Sequence, residues 1–242
     1  MNPIEQFKSE VKENIRSISE DLVVKRLTSD WINSIIPHRY THNFRWMGRP
    51  IIQFPQDMVV LQEIIWKVRP DLIIETGIAH GGSLIMNASF LSMLDYQDAF
   101  ERGELLDPAT PKRRVIGIDI DIREHNRREI ESHPMSARID MIQGLSIDKE
   151  VISQVYDISS KFDRVMVILD SNHTEEHVLN ELNLYSEIVS RNNYLIVQDT
   201  GIVHMPEKMN KNRMWSKKKN PFFSVKKFFK KKKKFKKNKK KK

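Results

Sequence analysis

Leu72-Ile73-Ile74-Glu75-Thr76-Gly77-Ile78-Ala79-His80-Gly81-Gly82-Ser83 is the stretch on which the fold turns. It opens with a short apolar run (LIIE, 72–75), passes through a glycine-rich turn and enters a helix-length segment at 82–94. The same unit recurs downstream. β-branched runs stand at RVIGID (114–119), ARIDMI (137–142), RVMVIL (164–169) and YLIVQD (194–199), with helix-length segments at 123–131, 148–158 and 174–189 between them. Strands apolar on both faces and separated by helices predict an α/β fold: a mostly parallel central sheet with helices on both faces. Its connections should be right-handed.

Upstream, MVVLQEIIWKVR (58–69) has helical apolar spacing and is stopped by Pro70. Residues 31–57 are rich in aromatics and proline and read as an ordered loop. Residues 1–30 read as a charged amphipathic helix (Ile4, Phe7, Val11, Ile15, Ile18) packing on the domain edge. The chain thus divides into an N-terminal helix and aromatic cap (1–57), a nucleotide-binding domain (58–215) and a Lys-rich, partly disordered tail (216–242). Its 242 residues suffice for one well-buried core. No run of about 18 apolar residues predicts a membrane span, the polar N-terminus carries no secretory pattern, and cysteine is absent. The expectation is a cytoplasmic protein without disulfides or thiolate chemistry.

The net charge of +9 is unevenly spread. Residues 208–242 hold eighteen Lys, one Arg and no acidic residue, and taking that +19 from +9 leaves residues 1–207 at −10. Such a tail can bind nucleic acid or an anionic membrane. The reading favoured from sequence is a self-repelling solvated segment with no specific nucleic-acid partner.

In an open α/β sheet, ligands gather at the carboxyl ends of the strands. There Gly77 permits a sharp turn, Gly81 and Gly82 permit close approach of a ligand, and Ser83 is placed to cap the following helix. Asp119 ends the second strand, where a carboxylate can accept from both ribose hydroxyls. Gln143, Gly144 and Ser146 follow the third strand and can address an adenine edge. The turn lacks G-x-G-x-x-G spacing, and Glu75 would repel a pyrophosphate, whereas a cationic sulfonium tolerates carboxylates. The expected cofactor is S-adenosylmethionine, bound in a Rossmann-like methyltransferase domain. Asp170 and Asp199 end the fourth and fifth strands and share one sheet edge, a hard-oxygen pair suited to Mg²⁺.

IIETGIAHGGSLI, IGIDIDIREHNRREIESHPM, LDSNHTEEHVLNEL and YLIVQDT strongly resemble the cephalosporin hydroxylase family, also called the rhamnosyl O-methyltransferase family, over roughly residues 40–230. The resemblance implies cofactor contacts at Glu75, Gly77, Ser83, Asp119 and the Gln143–Ser146 turn, with Phe54 and Gln56 helping to close the pocket. It implies a metal on Asp170 and on an acidic pair after the fifth strand, where this chain has Gln198-Asp199; Gln198 offers only a neutral oxygen. It also makes a homo-oligomer plausible.

The reaction expected is metal-assisted methyl transfer to a hydroxyl of a carbohydrate, glycolipid or secondary-metabolite acceptor, within lipid or polysaccharide biosynthesis. The metal would orient the hydroxyl and lower its pKa, and His173 is the candidate base. His80 is assigned a structural role; His125, His133, His177 and His204 are placed at the surface or in loops. Met86, Met93, Met166 and Met205 are read as packing. An iron hydroxylase is disfavoured because no second His stands at a strand end to complete the triad. The alternative is a cofactor-binding protein impaired in catalysis, since no strand is read after Phe235. The tail then either reflects truncation or docks a helix within 221–230.

Overall fold

The computed structural model describes residues 2–205 and 213–239, with side chains as far as Lys232. The chain forms two compact units, Met1–Tyr40 and Thr41–Lys242.

The first unit holds α1 (Pro3–Glu20) and α2 (Leu22–Ile35). The sequence predicts one helix here, but Asp21 interrupts it. Its carboxylate accepts from the backbone N–H of Val23 and Val24 and so restarts the chain as a second helix. No residue of α1 is buried.

The second unit begins with a hairpin where the sequence predicted a loop: β1 (Phe44–Trp46) and β2 (Arg49–Ile51), antiparallel, with Trp46 opposite Arg49. Met47 and Gly48 both take positive φ, as a tight two-residue hairpin turn requires. The Trp46 indole N–H donates to Ser89 and the ring packs edge-on against Phe90, which fixes the hairpin to α4 (Gly82–Arg102). Residues 44–51 therefore belong with the second unit and not with the N-terminal helices. α3 (Pro55–Val68) follows.

Five parallel strands form the central sheet: β3 (Leu72–Thr76), β4 (Arg114–Asp119), β5 (Ile139–Gln143), β6 (Val165–Leu169) and β7 (Leu195–Val197), in the order β5-β4-β3-β6-β7. The chain's first sheet strand is thus central, and the order reverses between β3 and β6, where a crevice opens at the carboxyl ends. Alternation divides the core into two layers. Ile73, Val115, Met166 and Ile168 pack with α3, α4 and α5 (Glu124–Glu131). Leu72, Ile74, Ile116, Val165 and Val167 pack with α6 (Lys149–Ser159) and α7 (Glu175–Tyr185). The predicted α/β class is present; β4, β6 and β7 lie within their predicted runs, and β3 and β5 each extend one residue past theirs, to Thr76 and Gln143.

Met86 and Met166 are fully buried, as read, but Met93 is exposed. The Lys-rich segment is helical, α8 (Pro221–Lys239), and Phe228 is buried in the α7 layer. Among the described residues no helix is long and apolar enough to cross a membrane.

Candidate functional site

Four of the five sheet strands, β3, β5, β6 and β7, pass their hydrogen-bond ladder one residue beyond their ends. Gly77 N donates to Ile118 O (2.7 Å), Gly144 N to Asp119 O (2.9 Å), Asp170 N to Thr76 O (2.9 Å) and Gln198 N to Leu169 O (3.0 Å). Backbone bonding alone therefore sets Gly77, Asp119, Gly144, Asp170 and Gln198 in one row along the carboxyl edge.

Gly77 has φ +93, and a Cβ there would lie 2.2 Å from Asp170 O, so only glycine lets the β3 turn pass so close to the β6 loop. The turn is held from below by Asp119. Its Oδ2 accepts from Ile78 N (2.8 Å) and Ala79 N (3.4 Å), and its Oδ1 from Asp121 N (3.1 Å). From outside, Arg49 of the hairpin donates to His80 O (2.6 Å) and Asn126 Oδ1 (3.0 Å), while Asn126 Nδ2 donates to Ala79 O (2.9 Å). This clamp was not visible in the sequence, because nothing local joins Arg49 or Asn126 to residues 79–80.

Glu75 is 1% exposed and bound by Ser83 Oγ and by Asn87 Nδ2 (2.7 Å). Burial pushes its carboxyl up to about 7, against the lowering effect of those two hydrogen bonds. Ser83 is thus committed to Glu75 and is not the helix cap; that position belongs to Gly81, at φ +81.

Across the crevice, Asp170, His173 and Asp199 bring one ligand atom each within 4.8 Å of one another. His173 Nε2 lies 3.0 Å from Asp199 Oδ2, and its ring stands edge-on to Trp215. Asp199 sits in the left-handed region (φ 56), a non-glycine strain at a strand end. Asp170 is held well above the usual carboxylate range by burial first, then by the charges of Asp199, Glu75 and Glu181. Asp57, in the first turn of α3, is raised by burial and by Asp199, a neighbour the sequence reading missed.

A cavity of about 260 Å³ opens between the β4, β5 and β6 loops. Asp119 and Ile120, Gly144 to Ser146, and Ser171 to His173 form its walls, and Met214 and Trp215 form its rim. Beneath it lies a buried network. Ser146 Oγ and Ser171 Oγ both donate to Glu181 Oε1 (2.6 and 2.7 Å) and both lie near His177 Nε2 (3.0 and 3.2 Å). With both hydroxyl protons directed at Glu181, the hydrogen between the serines and the imidazole sits on His177 Nε2. Burial opposes the charge on Glu181, but hydrogen bonds from His177, Ser146 and Ser171 prevail and hold its carboxyl below the usual range. His177, assigned to the surface from sequence, is 8% exposed, on the inner face of α7. Ser146 Oγ turns inward to this network, and Gln143 is exposed at the end of β5.

The two ends of the sheet contrast in charge. At the amino ends, Asp71, Asp95 and Asp98 pair with Arg69, Arg113, Arg138 and Arg164. At the carboxyl ends, no Lys or Arg among the described residues pairs with Glu75, Asp119, Asp170 or Asp199. A concave, uncompensated acidic edge favours cationic ligands.

A family model described as Rhamnosyl O-methyltransferase/CmcI matches residues 38–242. The rhamnosyl O-methyltransferase of Mycobacterium leprae (strain TN) is 25% identical over 158 residues, 65% of this chain and 60% of that protein. The rhamnosyl O-methyltransferase of Mycobacterium tuberculosis (strain ATCC 25618 / H37Rv) is 26% identical over 158 residues, 65% of this chain and 57% of that one. The matched region thus spans less than two thirds of these relatives. Among solved structures, cmcI-D160 with Mg-SAM is 19% identical at TM-score 0.46, covering 65% of this chain and 58% of that one. An O-methyltransferase from Bacillus cereus in complex with SAH is 14% identical at TM-score 0.47, covering 89% and 82%. Both likenesses are too loose to bear on chemistry.

Proposed function

The chain belongs to the Rhamnosyl O-methyltransferase/CmcI family, and from that premise we propose that it methylates a hydroxyl of a sugar-containing acceptor with S-adenosylmethionine. The observation that carries this reading is the acidic edge at the carboxyl ends of the strands, which no Lys or Arg among the described residues pairs. The donor's sulfonium and a divalent cation are both positive, and either relieves the repulsion among Glu75, Asp170 and Asp199. The names of the curated relatives make a rhamnosyl hydroxyl the first acceptor to try.

The residues fit Mg²⁺: the Asp170 and Asp199 carboxylates converge, Gln198, beside Asp199, can add a neutral oxygen, and His173 next to them is left for proton transfer. Bound there, the cation would supply Lewis acidity toward an acceptor hydroxyl. Glu75, Gly77, Gly81 and Ser83 build the turn on the donor side, and Asp119 accepts from the donor's ribose. Gly144 and Ser146 shape the adenine end of the cavity, with Gln143 at its margin. His173, oriented by Asp199 and Trp215, takes the acceptor proton as the hydroxyl oxygen bonds to the methyl carbon. When bound, S-adenosylmethionine would supply the methyl group on a positive sulfur, and the electron pair of the broken carbon–sulfur bond would leave that sulfur as a neutral thioether.

Calorimetry with S-adenosylhomocysteine should show binding that Asp119→Ala abolishes. Methyl-labelled donor should pass to rhamnosides with Mg²⁺ present, and Asp170→Asn should stop it. Unchanged affinity in Asp119→Ala would reject the pocket; binding without transfer to any hydroxyl acceptor would reject the activity.

A further inference from the structure

We propose that α8 and the rim segment leading into it form a docking surface for an anionic lipid bilayer. The inner face of α8 is occupied. Phe228 is buried against the α7 layer, Ser224 Oγ donates to Glu175 O (2.7 Å), and Lys227 pairs with the Glu175 carboxylate. At 100° per residue, Lys226 and Lys230 fall opposite Phe228, and Phe229 lies on their flank. Phe229 is 58% exposed although it is a large aromatic in a helix that already has a packed face.

The rim carries the same pairing of apolar tip and positive charge. Met214 is 82% exposed, and Lys217, Lys218 and Lys219 follow it in a turn closed by the Ser216–Lys219 bridge. Asn220, fully buried, ties that turn to the helix: its Nδ2 donates to Ser216 O and Lys217 O (both 3.0 Å), and its Oδ1 accepts from Phe222 N (3.1 Å). Turn and helix are therefore one rigid element. Among the described residues, none of Lys217, Lys218, Lys219, Lys226, Lys230 or Lys231 has an acidic partner within 4 Å. Lysines without acidic partners (Lys226 rests over the Phe222 ring) around exposed Met and Phe match a headgroup layer, which offers negative charge outside and hydrocarbon just beneath. A polynucleotide is the poorer match, because its charge would run on from this element along a body that carries −10 over residues 1–207.

The placement is also functional. Met214 and Trp215 are the cavity rim, so a bilayer seated on this element would lie at the mouth of the site. The docking itself does not depend on the chemistry within, and it is tested without cofactor.

The full chain is sedimented with vesicles of phosphatidylcholine alone and with about one-third phosphatidylglycerol, at low salt and at about 0.5 M salt. Binding is expected only to the anionic vesicles, and to weaken steeply with salt. Lys226→Gln, Lys230→Gln and Lys231→Gln together should weaken it roughly a hundredfold, at about fivefold per lysine. Phe229→Ser should weaken it about tenfold at either salt concentration, because an apolar contact is not screened. All four side chains are exposed, so thermal melting should stay unchanged. Equal binding to neutral vesicles, no binding to anionic ones, variants that bind as wild type, or displacement of vesicles by single-stranded RNA at equal charge would each overturn the proposal.

Discussion

Glu75 shows how a carboxylate can be costly to the folded chain and still define the site. Its pKa rises from an ordinary 4.5 to about 7 on burial, so the folded state binds that proton more tightly than the unfolded chain does. Stability is therefore full below about pH 4.5 and falls as pH rises through 7, by ~3 kcal/mol for this group. Glu75→Gln keeps the geometry, because its amide can accept from Asn87 and donate to the Ser83 hydroxyl. It should raise resistance to urea at pH 8, leave it unchanged near pH 4.5 and lower affinity for the cationic donor. Urea titrations at the two pH values check the sign; a variant less stable at pH 8 would show that the charge is not carried at a cost. Ser83 and Ser146 show what sequence could supply at this scale. Both were placed at the site, but their hydroxyls turn to Glu75 and Glu181, partners that only rotamers and packing select.

Elements that look independent in sequence are joined through single buried groups. The loops after β5 and β6 meet because Ser146 and Ser171 share one oxygen of Glu181, which is 0% exposed. The other oxygen, Oε2, has no hydrogen-bond partner among the described residues. Glu181→Gln removes the charge that both serine hydroxyls and His177 bind and leaves one end of its amide where Oε2 has no partner, so the two loops should loosen together. Affinity for S-adenosylhomocysteine should fall roughly tenfold, and Ser146→Ala and Ser171→Ala should each cost less; calorimetry on the three variants decides. Equal affinity in Glu181→Gln would mean that the cavity walls stand without the carboxylate. The strands were legible because alternating and continuous apolar runs report burial directly. His177 was legible in principle: it lies four residues before Glu181 on a helix whose inner face also holds Val178, Leu182 and Tyr185. The hairpin was not, since its turn is Met47-Gly48 and its hold on the glycine turn spans about thirty residues of sequence.

For the molecule as a whole, the sheet is a charge-asymmetric body: arginine-paired acids at one end, unpaired acids at the other. Mg²⁺ should therefore raise the melting temperature at pH 8 and do so less as pH falls, because the proton that burial favours on Asp170 competes with the cation. Scanning calorimetry of wild type and Asp199→Ala checks this, and an equal rise in both would place the cation elsewhere. The α/β class and the acidic edge were written in the order of the runs, whereas the docking of α8 rests on Phe228, Val225, Ser224 and Lys227 scattered among many lysines, a signal that composition hides. The close pass of Gly77 over the Asp170 carbonyl leaves less than a methyl group's width between the turn after β3 and the loop after β6. Those two halves cannot drift apart or together by small substitutions. Under the proposed methyl transfer, a different acceptor would have to be admitted by what surrounds the seam, because the seam itself leaves no room for change.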